Sequence, residues 1–195
     1  MENRAYTLPA RGSLKLVGVL AALAIAAIPA AAALAQSGGG FTVVESGRTY
    51  AQLQDAVDAV GAGTGKIAIA PGVYRQCAVQ KAGSISYMAV EPGSAVFDGV
   101  ACEGKAALVL RGREATVSGL VFRKMAVRDF NGAGIRLEKG DLTVAQSWFL
   151  DSQQGILSAN DGNGRIVVDK SKFSRLGTCE GAAGSTHSNY VGQYG

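Results

Sequence analysis

The sequence predicts an all-β solenoid, built from short strands that return at a near-constant interval. Residues 115–122 (ATVSGLVF), 142–149 (LTVAQSWF) and 166–173 (IVVDKSKF) share one pattern. Each places a valine five residues before a phenylalanine: Val117 with Phe122, Val144 with Phe149, Val168 with Phe173. The phenylalanines lie 27 and 24 residues apart, a period that marks repeat architectures. Each segment follows another short apolar alternation, Leu108 with Leu110, Ile135 with Leu137, and Ile156 with Ser158. β-Branched and aromatic residues alternating with period two, broken by glycine, are strand chemistry rather than helix chemistry. Stacked units of this kind bury one continuous apolar column. A chain of 195 residues with 48% hydrophobic and 17% charged residues and 27 Gly suits one glycine-punctuated, strand-rich domain.

Residues 1–35 are expected to be a secretory signal peptide. Arg4, Arg11 and Lys15 give a positive start, 16–28 is an apolar core, and Ala33-Leu34-Ala35 is a small-residue cleavage signal. An uncleaved membrane anchor is the other reading, because the apolar stretch runs on through the alanines. Cleavage is favoured because Pro29 breaks the helix and the cleavage signal follows it. The expected location is then periplasmic or secreted, with no membrane span left after cleavage. The remaining 160 residues carry 16 Lys+Arg and 14 Asp+Glu, a net of +2. That balance gives no global nucleic-acid footprint, so no nucleic-acid partner is expected.

Residues 36–48 read as a polar, glycine-rich linker and first strand. Residues 49–60 are the expected helix: Thr49 and Gln52 make a capping-box pattern, and Leu53, Ala56, Val57 and Val60 share a face. Glycines within 61–65 stop it, and KIAIAPGVY (66–74) follows as a buried strand with a Pro-Gly turn. Residues 86–90 and 94–97 form a second, less regular unit. Three clearer units run through 107–175, which makes about five in a single domain over 49–195. In register, Leu108, Ile135, Ile156 and Asn189 fill one inward column, and Leu110, Leu137, Ser158 and Val191 the next. Val109, Arg136, Leu157 and Tyr190 then point outward together. Phe122, Phe149 and Phe173 are expected to stack inside. Residues 189–195 match 135–141, so the repeat is expected to continue past Gly195; the other reading is a natural end capped by a partner. An uncovered last unit is expected to associate end to end with a second copy.

Cys77, Cys102 and Cys179 allow one disulfide. Cys77 and Cys102 are 25 residues apart, about one repeat, so stacked units bring them together and leave Cys179 over. Metal ligation is not expected, with no C-x-x-C and one histidine, and no cofactor is implied.

An amphipathic helix, a strand with an A-P-G-V-Y turn (70–74) and irregular units with F-D-G (97–99) together resemble the right-handed parallel β-helix, or pectin-lyase-like, superfamily. The resemblance covers 49–195. It implies a right-handed parallel β-helix of about five coils whose N-terminal helix caps the apolar column. It also implies action on polysaccharides, because members include polysaccharide lyases, glycoside hydrolases and uronate epimerases. The polygalacturonase-type signatures N-T-D, D-D, G-H-G and R-I-K are absent from the sequence, as is the Y-G-x-D-P-H pattern of alginate epimerases.

Between Lys105 and Lys139 stand eight basic residues against three acids. One reading is a groove for an acidic polysaccharide, with Arg111 and Arg136 as carboxylate-binding residues and the outward Trp148 as a platform for a sugar ring. The other is a solvated face with ion pairs between units, because Arg111 aligns with Glu138, and Lys124 with Asp151 and Arg175. His187 is the one group titrating near neutral pH. With Tyr190 it makes a base and acid pair, as a lyase or epimerase requires; its other reading is a turn histidine. Residues 160–164 (NDGNG) read as a tight turn rather than a calcium loop, lacking the downstream glutamate. Two functions follow: an exported β-helix that binds an acidic polysaccharide, as lyase or epimerase if catalytic, or a non-catalytic envelope scaffold or adhesion module.

Overall fold

The alternating pattern is realised as three sheets of mainly parallel strands. The computed structural model describes residues 40–159, 163–177 and 191–194, all within the compact unit Gln36–Gly195. A hairpin of β1 (Phe41–Val43) and β2 (Arg48–Tyr50) leads to helix α1 (Leu53–Val60). Fifteen strands follow: β3 (Thr64–Ile69), β4 (Gly72–Tyr74), β5 (Ala78–Gln80), β6 (Ser84–Ala89), β7 (Ala95–Asp98), β8 (Ala106–Leu110), β9 (Glu114–Ser118), β10 (Leu120–Arg123), β11 (Ala133–Leu137), β12 (Asp141–Ala145), β13 (Trp148–Leu150), β14 (Gln154–Ala159), β15 (Ile166–Asp169), β16 (Lys172–Ser174) and β17 (Val191–Tyr194).

The first sheet runs β15-β12-β9-β6-β3-β1-β2, the second β16-β13-β10-β7-β4 and the third β17-β14-β11-β8-β5. From β3 onward the chain visits the sheets in a fixed cycle, one strand in each, five times over. All pairings among these strands are parallel, whereas β1 pairs antiparallel with both β2 and β3.

Sequence decides which faces are buried. First-sheet strands such as β9 (EATVS) and β12 (DLTVA) alternate and bury one face. Third-sheet strand β8 (AALVL) is apolar throughout and buried throughout. Leu108, Ile135 and Ile156 pair in one row and Leu110, Leu137 and Ser158 in the next. Val109 and Leu157 do face away from the main core, but they are fully buried in a second cluster with Val79, Ala106 and Ala133.

The second sheet carries the aromatic column. Phe122 pairs with Phe149 and Phe149 with Phe173, and their rings lie 5.2 and 4.8 Å apart, within 13° and 9° of parallel. Two members were not evident from the repeat: Phe97 stacks on Phe122 at 5.5 Å, and Tyr74 follows at 5.7 Å from Phe97. Parallel register forces this stacking, because strands about 4.8 Å apart carry identical residues at ring-contact distance.

Two expectations are corrected. Helix α1 begins at Leu53, not Thr49, which lies in β2 opposite Thr42. Gln52 stands at the N-cap with no side-chain cap bond; instead the Leu53 N–H donates to Gln76 Oε1 at 2.9 Å. The cap thus comes from a turn in the next circuit, and a local capping box is not needed. At the other end, Val191 pairs with Ile156 rather than Ser158. A two-residue slip keeps every residue on its face, so alternation alone does not distinguish the two registers.

Cys77 and Cys102 are disulfide-bonded, with Cα atoms 5.4 Å apart. The bond ties the β4–β5 link to the β7–β8 loop, in which Cys102 N–H also donates to Ala106 O at 2.8 Å.

Candidate polyanion site

Three short turns lead from the third sheet to the first: Lys81-Ala82-Gly83, Arg111-Gly112-Arg113 and Glu138-Lys139-Gly140. Strand register stacks them. Gln80, Leu110 and Leu137 are in one row before the turns, and Ser84, Glu114 and Asp141 in one row after them. Lys81, Arg111 and Glu138 therefore succeed one another along the stack, as do Gly83, Arg113 and Gly140. The turns touch through the backbone: Arg113 N–H donates to Gly83 O at 2.7 Å, and Asp141 N–H to Arg113 O at 3.0 Å. A Cβ at Gly112 would run into Gln80 Nε2 and Gly83 O, and one at Gly140 into the Gly112 and Arg113 carbonyls. Glycine is what lets the turns close up.

A groove of about 480 Å³ runs over these turns, with Lys81, Arg111, Arg113 and Lys139 in its lining. Lys81, Arg113 and Lys139 are exposed. Among the described residues no carboxylate forms an ion pair with Lys81 or Lys139. Arg113 donates to Ala62 O at 3.1 Å and Gly63 O at 3.4 Å, carbonyls just past the end of α1 where the helix dipole favours a cation.

Arg111 sits deeper. Its Nη1 donates to Glu103 Oε1 at 3.0 Å and its Nη2 to Glu103 Oε2, a two-pronged grip. Its Nε donates to Glu138 Oε2 at 2.5 Å. Lys105 Nζ bridges the two acids, at 2.7 Å from Glu138 and 3.3 Å from Glu103. The Arg111 hydrogen bond holds the Glu103 carboxyl down to about 2, with Lys105 adding to it. Burial pushes the Glu138 carboxyl up, but the hydrogen bonds from Lys105 and Arg111 outweigh it and hold it below the usual range. Both acids are therefore anions near neutral pH, and neither is suited to hold a proton for transfer.

The sequence-expected residues divide. Arg111 and Arg136 come together around Glu138, with Arg136 Nε 3.9 Å from Glu138 Oε1 and its side chain 11% exposed. Arg136 is thus an almost buried member of the cluster rather than a surface hand. Trp148 lies on the second sheet in register with Val121 and Lys172. A Cβ at Gly93 would overlap its indole, so the outer end of the ring lies against the chain at Gly93, and the residue remains 38% exposed. The ion pairs between units are present: Arg111 with Glu138, and Arg175 with Asp151 through Nη2 at 2.8 Å. His187, Tyr190 and Cys179 lie outside the described residues, as do 160–162 and the expected signal peptide.

Lys81 was missed because it stands thirty residues before Arg111, outside the basic segment. Its signal is the repeated turn, K-A-G, R-G-R and E-K-G, each just before a first-sheet strand. Among the described residues no group of three or more His, Cys, Asp or Glu is placed to hold a metal, and no helix is long and apolar enough to cross a membrane. No family model, no curated protein and no solved structure matches the chain.

Proposed function

We propose that the chain is an exported right-handed parallel β-helix of the pectin-lyase-like type that binds an acidic polysaccharide along its turn groove, in the periplasm or outside the cell. The observation that carries this reading is that Lys81, Arg113 and Lys139, from three successive turns, line one groove. Successive turns follow one another at the strand spacing of about 4.8 Å, and a chain of uronates offers a carboxylate on each sugar. Exposed lysines bind anions through charges that salt screens, whereas the planar fork of Arg111, the group that suits a carboxylate, is held by Glu103 and Glu138. The fixed cycle of strands through three sheets supports the β-helix.

Binding without turnover is the form the described residues favour. Glu103 and Glu138, the acids beside the groove, are locked as anions by Arg111 and Lys105. Lyase or epimerase action would rest on His187 with Tyr190. The test is retention of the purified chain on alginate and polygalacturonate columns. Retention at low salt with release at high salt is expected. No retention at low salt removes the reading, and unsaturated-uronate absorbance in the eluate marks a lyase instead of a binder or scaffold.

A further inference from the structure

We propose that Glu103 is a tethered competitor for Arg111, a residue of the groove lining: its carboxylate sits on the Arg111 guanidinium as a bound uronate carboxylate would, and so lowers the affinity for polyanions. The inference rests on the polyanion reading above. Three observations carry it. First, Glu103 meets Arg111 with both oxygens on Nη1 and Nη2, the bidentate arrangement in which arginine recognises carboxylates.

Second, Glu103 does not belong to the stacked turns. It comes from the β7–β8 loop, where Glu103 has φ +53° and Gly104 has φ +63°. A left-handed glutamate is uncommon and costs free energy. Lys124, Phe130, Gln146, Asp151, Lys170 and Arg175 are left-handed as well, so what sets Glu103 apart is its origin in a loop outside the stacked turns. Third, the preceding residue, Cys102, is bonded to Cys77. Anchoring the loop one residue away holds the carboxylate at high effective concentration beside its target.

The groove does not need Glu103 to keep Arg111 in place. Glu138 holds Arg111 Nε from the other side and also takes Lys105. The Glu103 side chain is 39% exposed, so a ligand can reach the pair and exchange with it. Without Glu103 the cluster of Lys105, Arg111, Arg136 and Glu138 has three cations to one anion.

Calorimetric titration of the full chain with an oligogalacturonate of defined length, at low salt, tests this. Glu103→Gln keeps the size and removes the charge. Its Kd is expected to fall about tenfold, the scale of one charge-assisted contact. Adding Lys81→Gln and Lys139→Gln to that variant should cancel the gain, which places it in the groove. The double variant Cys77→Ser, Cys102→Ser should shift Kd in the same direction by a smaller factor, since the carboxylate stays but its tether is gone. Wild-type binding with an unchanged Kd in Glu103→Gln overturns the inference and leaves the groove reading standing. Absence of binding by both wild type and Glu103→Gln overturns both.

Discussion

At the scale of single residues, the molecule spends arginine on its own acids before offering any to a ligand. Arg111, Arg123 and Arg175 each hold an internal carboxylate: Glu103 with Glu138, Asp98, and Asp151. Arg123 Nη2 reaches Asp98 Oδ2 at 2.8 Å, and that hydrogen bond holds the Asp98 carboxyl below its ordinary value. A carboxylate whose folded-state pKa is depressed stabilises the fold above its unfolded pKa, and that contribution is lost as pH falls through the folded value. For Glu103 the window runs from the ordinary carboxylate value of 4.5 down to about 2. Thermal denaturation of wild type and Glu103→Gln across that range should show a wild-type advantage above pH 5. The advantage should shrink as pH falls and vanish near pH 2. A difference that does not change with pH would mean that Glu103 contributes through packing rather than charge.

At the scale of elements, the aromatic column and the turn column are two consequences of one register. Phe122 is fully buried between Phe97 and Phe149. Phe122→Ala removes a ring from the middle of the stack, where both neighbours are held by strand pairing and cannot close the gap. A loss of about 3–5 kcal/mol is expected from such a cavity, read from the denaturant midpoint. Trp148→Ala serves as the comparison, because that ring is partly exposed; an equal loss at the two sites would contradict the stacked column. Much of this was legible in the sequence because an inward row repeats the same residue once per circuit: Val117, Val144 and Val168, or Phe122, Phe149 and Phe173, buried in the first two members of each and more exposed in the last. Tyr74 and Phe97 belong to the row but escaped notice, because the valine five residues upstream is replaced there by Ile69 and Pro92. Helix α1 was displaced by four residues because its first N–H is satisfied from Gln76, a partner that no local pattern reveals. The burial of Val109 and Leu157 is equally non-local: alternation tells which face a residue takes, not what covers that face.

At the scale of the whole molecule, parallel stacking gathers cations from successive turns into one groove. Lys81, Arg113 and Lys139 are far apart in the chain, yet they share one groove because the strands on either side of each turn are in register. Composition could not show this, since a net of +2 over 160 residues carries no information about where the cations gather. Arg111 and Arg136 were legible as a basic pair, but their shared acid Glu138 turns them toward the protein. The exposed lysines carry the proposed function, and the measurement that tests it most directly is the affinity of an oligogalacturonate for wild type and for Lys81→Gln, Lys139→Gln at low salt. Weakening of at least about tenfold in the variant is predicted, the factor that about 1.4 kcal/mol of lost interaction produces. Wild-type affinity should also fall steeply as salt rises. Equal affinities for the two proteins, or wild-type binding indifferent to salt, would contradict the account.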